Sequence, residues 1–185
     1  VPRTLQVRVR LPLLTVSVVS VVSLVAVSGV LAATTLDPAQ LSLRRGDLRG
    51  VGWVPSASNG YRTADQAAQG APPGTAARLA KAGFVRGYDA SWGAKAALVG
   101  STAYVFRTSA GAREAFKVYR DTTPPGTRRI RFKPVGDASL AYRSTRAPRF
   151  TGIVWRNGRV LSIILTGGLA DNAIDELVRI QAARV

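Results

Sequence analysis

Along this chain the apolar positions change period several times, and each change marks an element. Residues 151–165 (TGIVWRNGRVLSIIL) place β-branched and aromatic residues on both sides of Asn157-Gly158. That dipeptide favours a two-residue hairpin turn, because both of its turn positions take positive φ. Such a turn pairs Arg156 with Arg159, Trp155 with Val160 and Val154 with Leu161. One face then carries Val154, Leu161, Ile163 and Leu165, and the other Ile153, Trp155, Val160 and Ile164. Both faces are apolar, which predicts a hairpin at the centre of its sheet.

Period-two patterning also marks 84–92 (FVRGYDASW) and 98–107 (LVGSTAYVFR), joined by a short segment at 93–97 as a second hairpin. In 127–133 (TRRIRFK), charge alternates with Ile130 and Phe132, a strand with one basic and one apolar face. Val135-Gly136-Asp137-Ala138 reads as a turn, followed by a strand over 139–143. The helical period appears at Ala112, Ala115, Phe116 and Tyr119, which puts one face of a helix on a core. Thr108 or Ser109 caps that helix, which runs to about Arg120.

A short helix over 76–82 follows Thr75 as its cap and stops at Gly83. A last helix starts at Asp171 and turns Ile174, Leu177, Val178 and Gln181 inward, with its acids early and its arginines late, as the helix dipole favours. Residues 55–74 are rich in Ser, Asn, Gly, Ala and Pro and read as a flexible loop. Ahead of it, Gly50-Val51-Gly52-Trp53 suggests a first turn or strand that packs its tryptophan. The order is helix, two strands, helix, four strands, helix. That predicts a single α+β domain over 51–185, an antiparallel sheet of about 5–6 strands against two or three helices.

The first 33 residues follow a different rule. Residues 11–33 carry no charge and succeed a leader with Arg3, Arg8 and Arg10 but no acid. A basic head before an apolar run is a secretory signal or a retained anchor. The run at 11–31 matches the roughly 20 residues a bilayer core requires. Val30 and Ala32 also stand at −3 and −1 for cleavage before Ala33. The chain therefore divides into a signal peptide or membrane anchor at 1–33, a tether at 34–50 and an extracytoplasmic domain. With no cysteine, a lipid-modified cysteine is excluded as the anchor, and disulfides are excluded from the domain.

Charge adds a possible partner. Lys and Arg number 26 against 10 acids, a net charge of +16. Such a surface attracts polyanions through a long-range, salt-sensitive field. Outside a membrane these are lipid headgroups, anionic wall polymers or extracellular nucleic acid. Only four of the 26 are lysines, a bias that also fits a high-GC genome. The basic residues cluster at Arg128, Arg129, Arg131 and Lys133, although an edge strand guarded by charge has the same pattern.

Chemistry is sparse. Without histidine or cysteine, the commonest general base, thiolate nucleophiles and most transition-metal sites are excluded. No cofactor motif is present, and Asp171, Asp175 and Glu176 have a sufficient explanation at a helix start. A carboxylate hydrolase needs two close, buried acids in one cleft, with Asp89, Asp137 and Glu114 the candidates. The expectation is a domain without catalysis that binds an envelope component or small ligand. Trp92 and Tyr142 join the four basic residues as its contacts.

Four stretches, GAREAF at 111–116, VGDASLAYR at 135–143, IVWRNGRVLSIIL at 153–165 and RIQAARV at 179–185, together carry a resemblance over 98–185. The pattern resembles the extracytoplasmic sensor domains of actinobacterial serine/threonine kinases and their lipoprotein relatives. The resemblance implies an α+β domain with an antiparallel sheet and a ligand cleft. This chain departs from the family in having no disulfide cysteines and no kinase domain, so neither ligand nor signalling role carries over.

Overall fold

The computed structural model describes residues 36–185 apart from Val51 and Thr122. The apolar run and its cleavage position lie outside the described residues. Among the described residues no helix is long and apolar enough to cross a membrane.

The chain builds one eight-stranded antiparallel sheet. Its strands are β1 (Val54–Pro55), β2 (Gly60–Arg62), β3 (Phe84–Ala94), β4 (Ala97–Phe106), β5 (Thr127–Ile130), β6 (Ala138–Ser144), β7 (Phe150–Asn157) and β8 (Val160–Gly167). They lie in the order β1-β3-β4-β8-β7-β6-β5, and β2 also pairs with β3. The helices are α1 (Pro38–Leu41), α2 (Ala64–Ala67), α3 (Thr75–Lys81), α4 (Ser109–Asp121) and α5 (Asp171–Ala182). The fold class is the one the sequence predicts, with more strands than the five or six expected.

Alternation along the strands divides the core in two. Tyr88, Ala90 and Trp92 of β3 stand in register with Ala103, Ser101 and Val99 of β4, and these with Ser162, Ile164 and Thr166 of β8. Their face packs against α5, whose Ile174, Leu177, Val178 and Gln181 are buried. On the opposite face, Tyr104, Phe106, Val154 and Leu161 meet Ala112, Ala115 and Phe116 of α4 and Leu79 of α3. The β7–β8 hairpin is apolar on both sides because it lies under both layers.

Several expectations are corrected. The hairpin pairs Asn157 with Val160 and Trp155 with Ser162, so its turn is Gly158-Arg159. Gly158 has φ +53 and Arg159 is not among the positive-φ residues, a combination that suits a II′ turn with glycine at its first position. Each partner moves by two residues, so every side chain keeps its expected face. Asp171 is the first residue of α5, not its cap; Ala170 holds that position. Gly74 likewise caps α3, with Thr75 inside it.

Residues 36–50 are not a free tether. They fold onto the α5 face of the sheet and bury Leu41, Leu43 and Leu48. The expected loop at 55–74 contains β2 and α2, the latter closed by a Thr63–Gln66 capping box. One part of the α4 face stays uncovered. There Val54, Leu98 and Leu165 are exposed, alternating across the sheet with Gly93, Gly100 and Gly167.

Candidate functional site

Residues 36–50, a strap across the sheet, line a hollow together with α5. Ser101 accepts a 2.8 Å bond from the Leu43 amide and donates at 2.9 Å to the side-chain carbonyl of Gln181. The Gln181 amide donates in turn to the Thr102 carbonyl at 3.0 Å. Strap, sheet and helix are thus tied by a buried polar chain with each member partnered. Further along, Arg184 grips both Asp47 oxygens, at 2.7 and 2.8 Å, and donates to the Ser42 carbonyl at 2.7 Å.

Burial alone pushes the Asp47 carboxyl upward. The bonds from Arg184 and from the Arg44 amide, with the arginine charges, outweigh it and hold the group below its ordinary value. This bidentate pair fixes the strap where it begins to leave the sheet.

Beyond it, Gly50 (φ +88) and Gly52 (φ +81) take left-handed backbone angles, and Trp53 packs against the core. These angles are ones that glycine takes without steric cost. The Trp53 indole donates to the Arg49 carbonyl at 2.9 Å, so the ring stands as a wall. The hollow has a volume of about 330 Å³. Leu48, Val99, Leu169 and Leu177 supply apolar lining, and Asn172, Glu176 and Arg49 supply polar groups.

Glu176 accepts from Arg179 at 2.9 and 3.2 Å and lies 3.4 Å from Arg49. The Arg179 bond is the main reason its carboxyl is held below the usual range. The Arg49 side chain is 88 % exposed, so its bond to Glu176 costs little to open. Apolar lining, one aromatic wall and a few convergent polar groups are the ordinary make-up of a small-ligand site.

The residues expected to form the site are dispersed. Trp92 is 5 % exposed and packs beside Val99 within the core, so it is corrected from contact residue to core residue. Tyr142 lies on the opposite face, its ring over Gly152. Arg128 stands opposite Arg143 and Arg129 opposite Tyr142, on different sheet faces. Arg129 donates to the Arg120 carbonyl near the end of α4.

The β5 strand ends at Ile130, before Arg131 and Lys133. Even so, Ile130 and Phe132 turn toward the core and Arg129, Arg131 and Lys133 are exposed, so the alternation held. Arg131, Lys133 and Arg143 line a second, smaller groove of about 210 Å³ with Asp171 and Asp175.

Asp89, Asp137 and Glu114 sit on separate elements. Asp89 is held by Arg62 and Thr102, Asp137 by Arg156 and Glu114 by Lys117. Their side chains are 30, 45 and 59 % exposed, not the buried pair that a carboxylate hydrolase needs. Among the described residues no three acids group as a metal site.

Arg49, Asn172 and Glu176 carried no sequence signal as ligand contacts. Trp53 carried one only as a packed ring, since Gly50-Val51-Gly52-Trp53 suggests a first turn or strand that packs its tryptophan.

No family model and no curated protein matches the sequence. Among solved structures, the chain is similar to the extracellular domain of PknH from Mycobacterium tuberculosis. The likeness has 10 % identity and a TM-score of 0.49, and covers 83 % of this chain and 93 % of that one.

Proposed function

We propose that this chain is a non-catalytic extracytoplasmic domain, secreted or tethered by residues 11–31. It binds a small amphiphilic ligand or envelope component in the hollow between the strap and α5. The observation that carries this reading is the site's division. Leu48, Val99, Leu169, Leu177 and Trp53 offer an apolar interior, while Asn172, Glu176 and Arg49 stand ready for a polar head. The Arg49–Glu176 pair closes over the site at little energetic cost, so a ligand head can replace either partner.

The test uses anilinonaphthalene sulfonate, an apolar ring system with one anionic group, and follows its fluorescence on titration. Saturable binding is expected, lost by tenfold or so when Ala173→Phe fills the space (about the effect of 1.4 kcal/mol). Loss with Leu165→Asp instead, at unchanged Tm, moves the site to the uncovered sheet face and overturns the reading. A polyanion contact through Arg129, Arg131 and Lys133 separates from it by salt. Polyanion binding falls steeply with ionic strength; a ligand held chiefly by the apolar interior is nearly insensitive.

A further inference from the structure

We infer that the domain has a membrane-facing end, and that this end contacts anionic lipid headgroups through Lys81, Arg107 and Arg159. The inference rests on the reading of residues 11–31 as a retained span and adds the orientation of the domain above it. The span ends at residue 31, and only the four residues 32–35 separate it from Leu36. Four residues reach at most about 14 Å. Whatever surface surrounds Leu36 is therefore held close to the bilayer.

The structure identifies that surface. Leu36 packs with Val185 against the cluster formed by Ala103, Val105 and Val160. Arg86 donates to the Leu36 carbonyl at 3.3 Å, while its guanidinium lies 5.6 Å from the Tyr61 ring centroid. These groups mark the end of the sheet where β4 finishes and β8 begins. Arg107 follows β4 directly, its amide bonded to the Gly83 carbonyl, and is exposed. Lys81 is exposed at the end of α3, and Arg159 forms the β7–β8 turn beside it in the fold, its carbonyl accepting from the Phe106 amide.

Two acids at this end are already occupied. Asp37 accepts from the Tyr61 hydroxyl and the Ala39 amide, and Asp137 from Arg156 and the Gly158 amide. Lys81 and Arg107 are exposed on the same surface. Anionic headgroups attract juxtamembrane Lys and Arg, and the effect fades within a Debye length, so proximity set by the short link decides whether it acts. The opposite end of the ten-residue β4, at the Lys95-Ala96 turn, stands about 30 Å away at 3.4 Å per residue.

The absence of cysteine makes a clean experiment. The full chain is reconstituted into vesicles of phosphatidylcholine alone or with about a third phosphatidylglycerol. A single dye is placed at Ser109→Cys or at Ala96→Cys, and energy transfer to a headgroup acceptor is measured. Strong transfer from position 109 and weak transfer from 96 are expected, with a further rise at 109 in phosphatidylglycerol that salt reverses.

Combining Lys81→Gln, Arg107→Gln and Arg159→Gln should weaken the headgroup contact by about a hundredfold, at about a factor of five per charge. Equal transfer from both positions, or more from 96, overturns the orientation. Transfer from 109 that ignores lipid charge and the triple variant overturns the headgroup contact. Release of the chain from vesicles by alkaline carbonate removes the anchor itself, and with it the inference, but leaves the ligand site untouched.

Discussion

Gly152 and Gly100 share one cross-sheet row, flanking Leu165, yet a methyl group meets different surroundings at each. At Gly152 it falls 2.4 Å from the Tyr142 ring, and at Gly100 the nearest atom is 3.6 Å away. Gly152→Ala therefore forces the ring aside and should cost about 1–3 kcal/mol, whereas Gly100→Ala should be neutral or slightly stabilising. Chemical denaturation of the two variants checks this, and equal losses would show that Tyr142 does not depend on the gap. The displaced ring also matters for chemistry, because burial already raises the Tyr142 phenol above its ordinary value. The sequence offered Gly152 as a strand residue and Tyr142 as a ligand contact. It held no sign that one exists to seat the other.

Among the elements, α4 shows how much a local rule can carry. Thr108 accepts from the Gly111 amide at 3.0 Å, as expected of a cap, and the buried Ala112, Ala115 and Phe116 follow the helical period. Thr108→Ala should cost about 1 kcal/mol of stability, seen as a lower denaturation midpoint with unchanged slope. A loss below a few tenths would mean that tertiary packing alone holds this end. The β7–β8 hairpin was legible for the same reason: side-chain alternation survives a two-residue change of register. Turn type was not, since it depends on which residues the neighbouring strands β6 and β4 draw into pairs. Strands β1 and β2 were invisible because two or three residues cannot establish a period. They form through pairing with β3, a partner 30 or so residues away in sequence.

For the whole molecule, acid dependence follows from the strap. The Asp47 carboxyl is held below its ordinary value in the folded state. Its contribution is complete above about pH 4, the unfolded value, and disappears as pH falls through the lower folded one. Asp47→Asn should cost about 2 kcal/mol at neutral pH, the weight of hydrogen bonds to a charged partner. It should also flatten the fall in Tm below pH 4, since the variant has already lost what acid removes. A parallel shift of the whole curve with the same acid slope would assign the dependence elsewhere. Because the strap forms one wall of the hollow, probe binding should weaken in step.

By itself the sequence determined the fold class, the main strands and helices, the apolar character of both hairpin faces and the uncharged run at 11–33. These depend on local period, capping and composition, which neighbours in sequence establish without help. Tertiary structure alone decided the site. Leu48, Trp53, Val99 and Glu176 come from three distant stretches, and what joins them is the return of residues 36–53 onto α5. That return is driven by three buried leucines and the Leu43–Ser101 and Asp47–Arg184 bonds, whose partners lie 58 and 137 residues apart. No periodic pattern records contacts across such distances, so the segment read as a tether became a wall of this hollow.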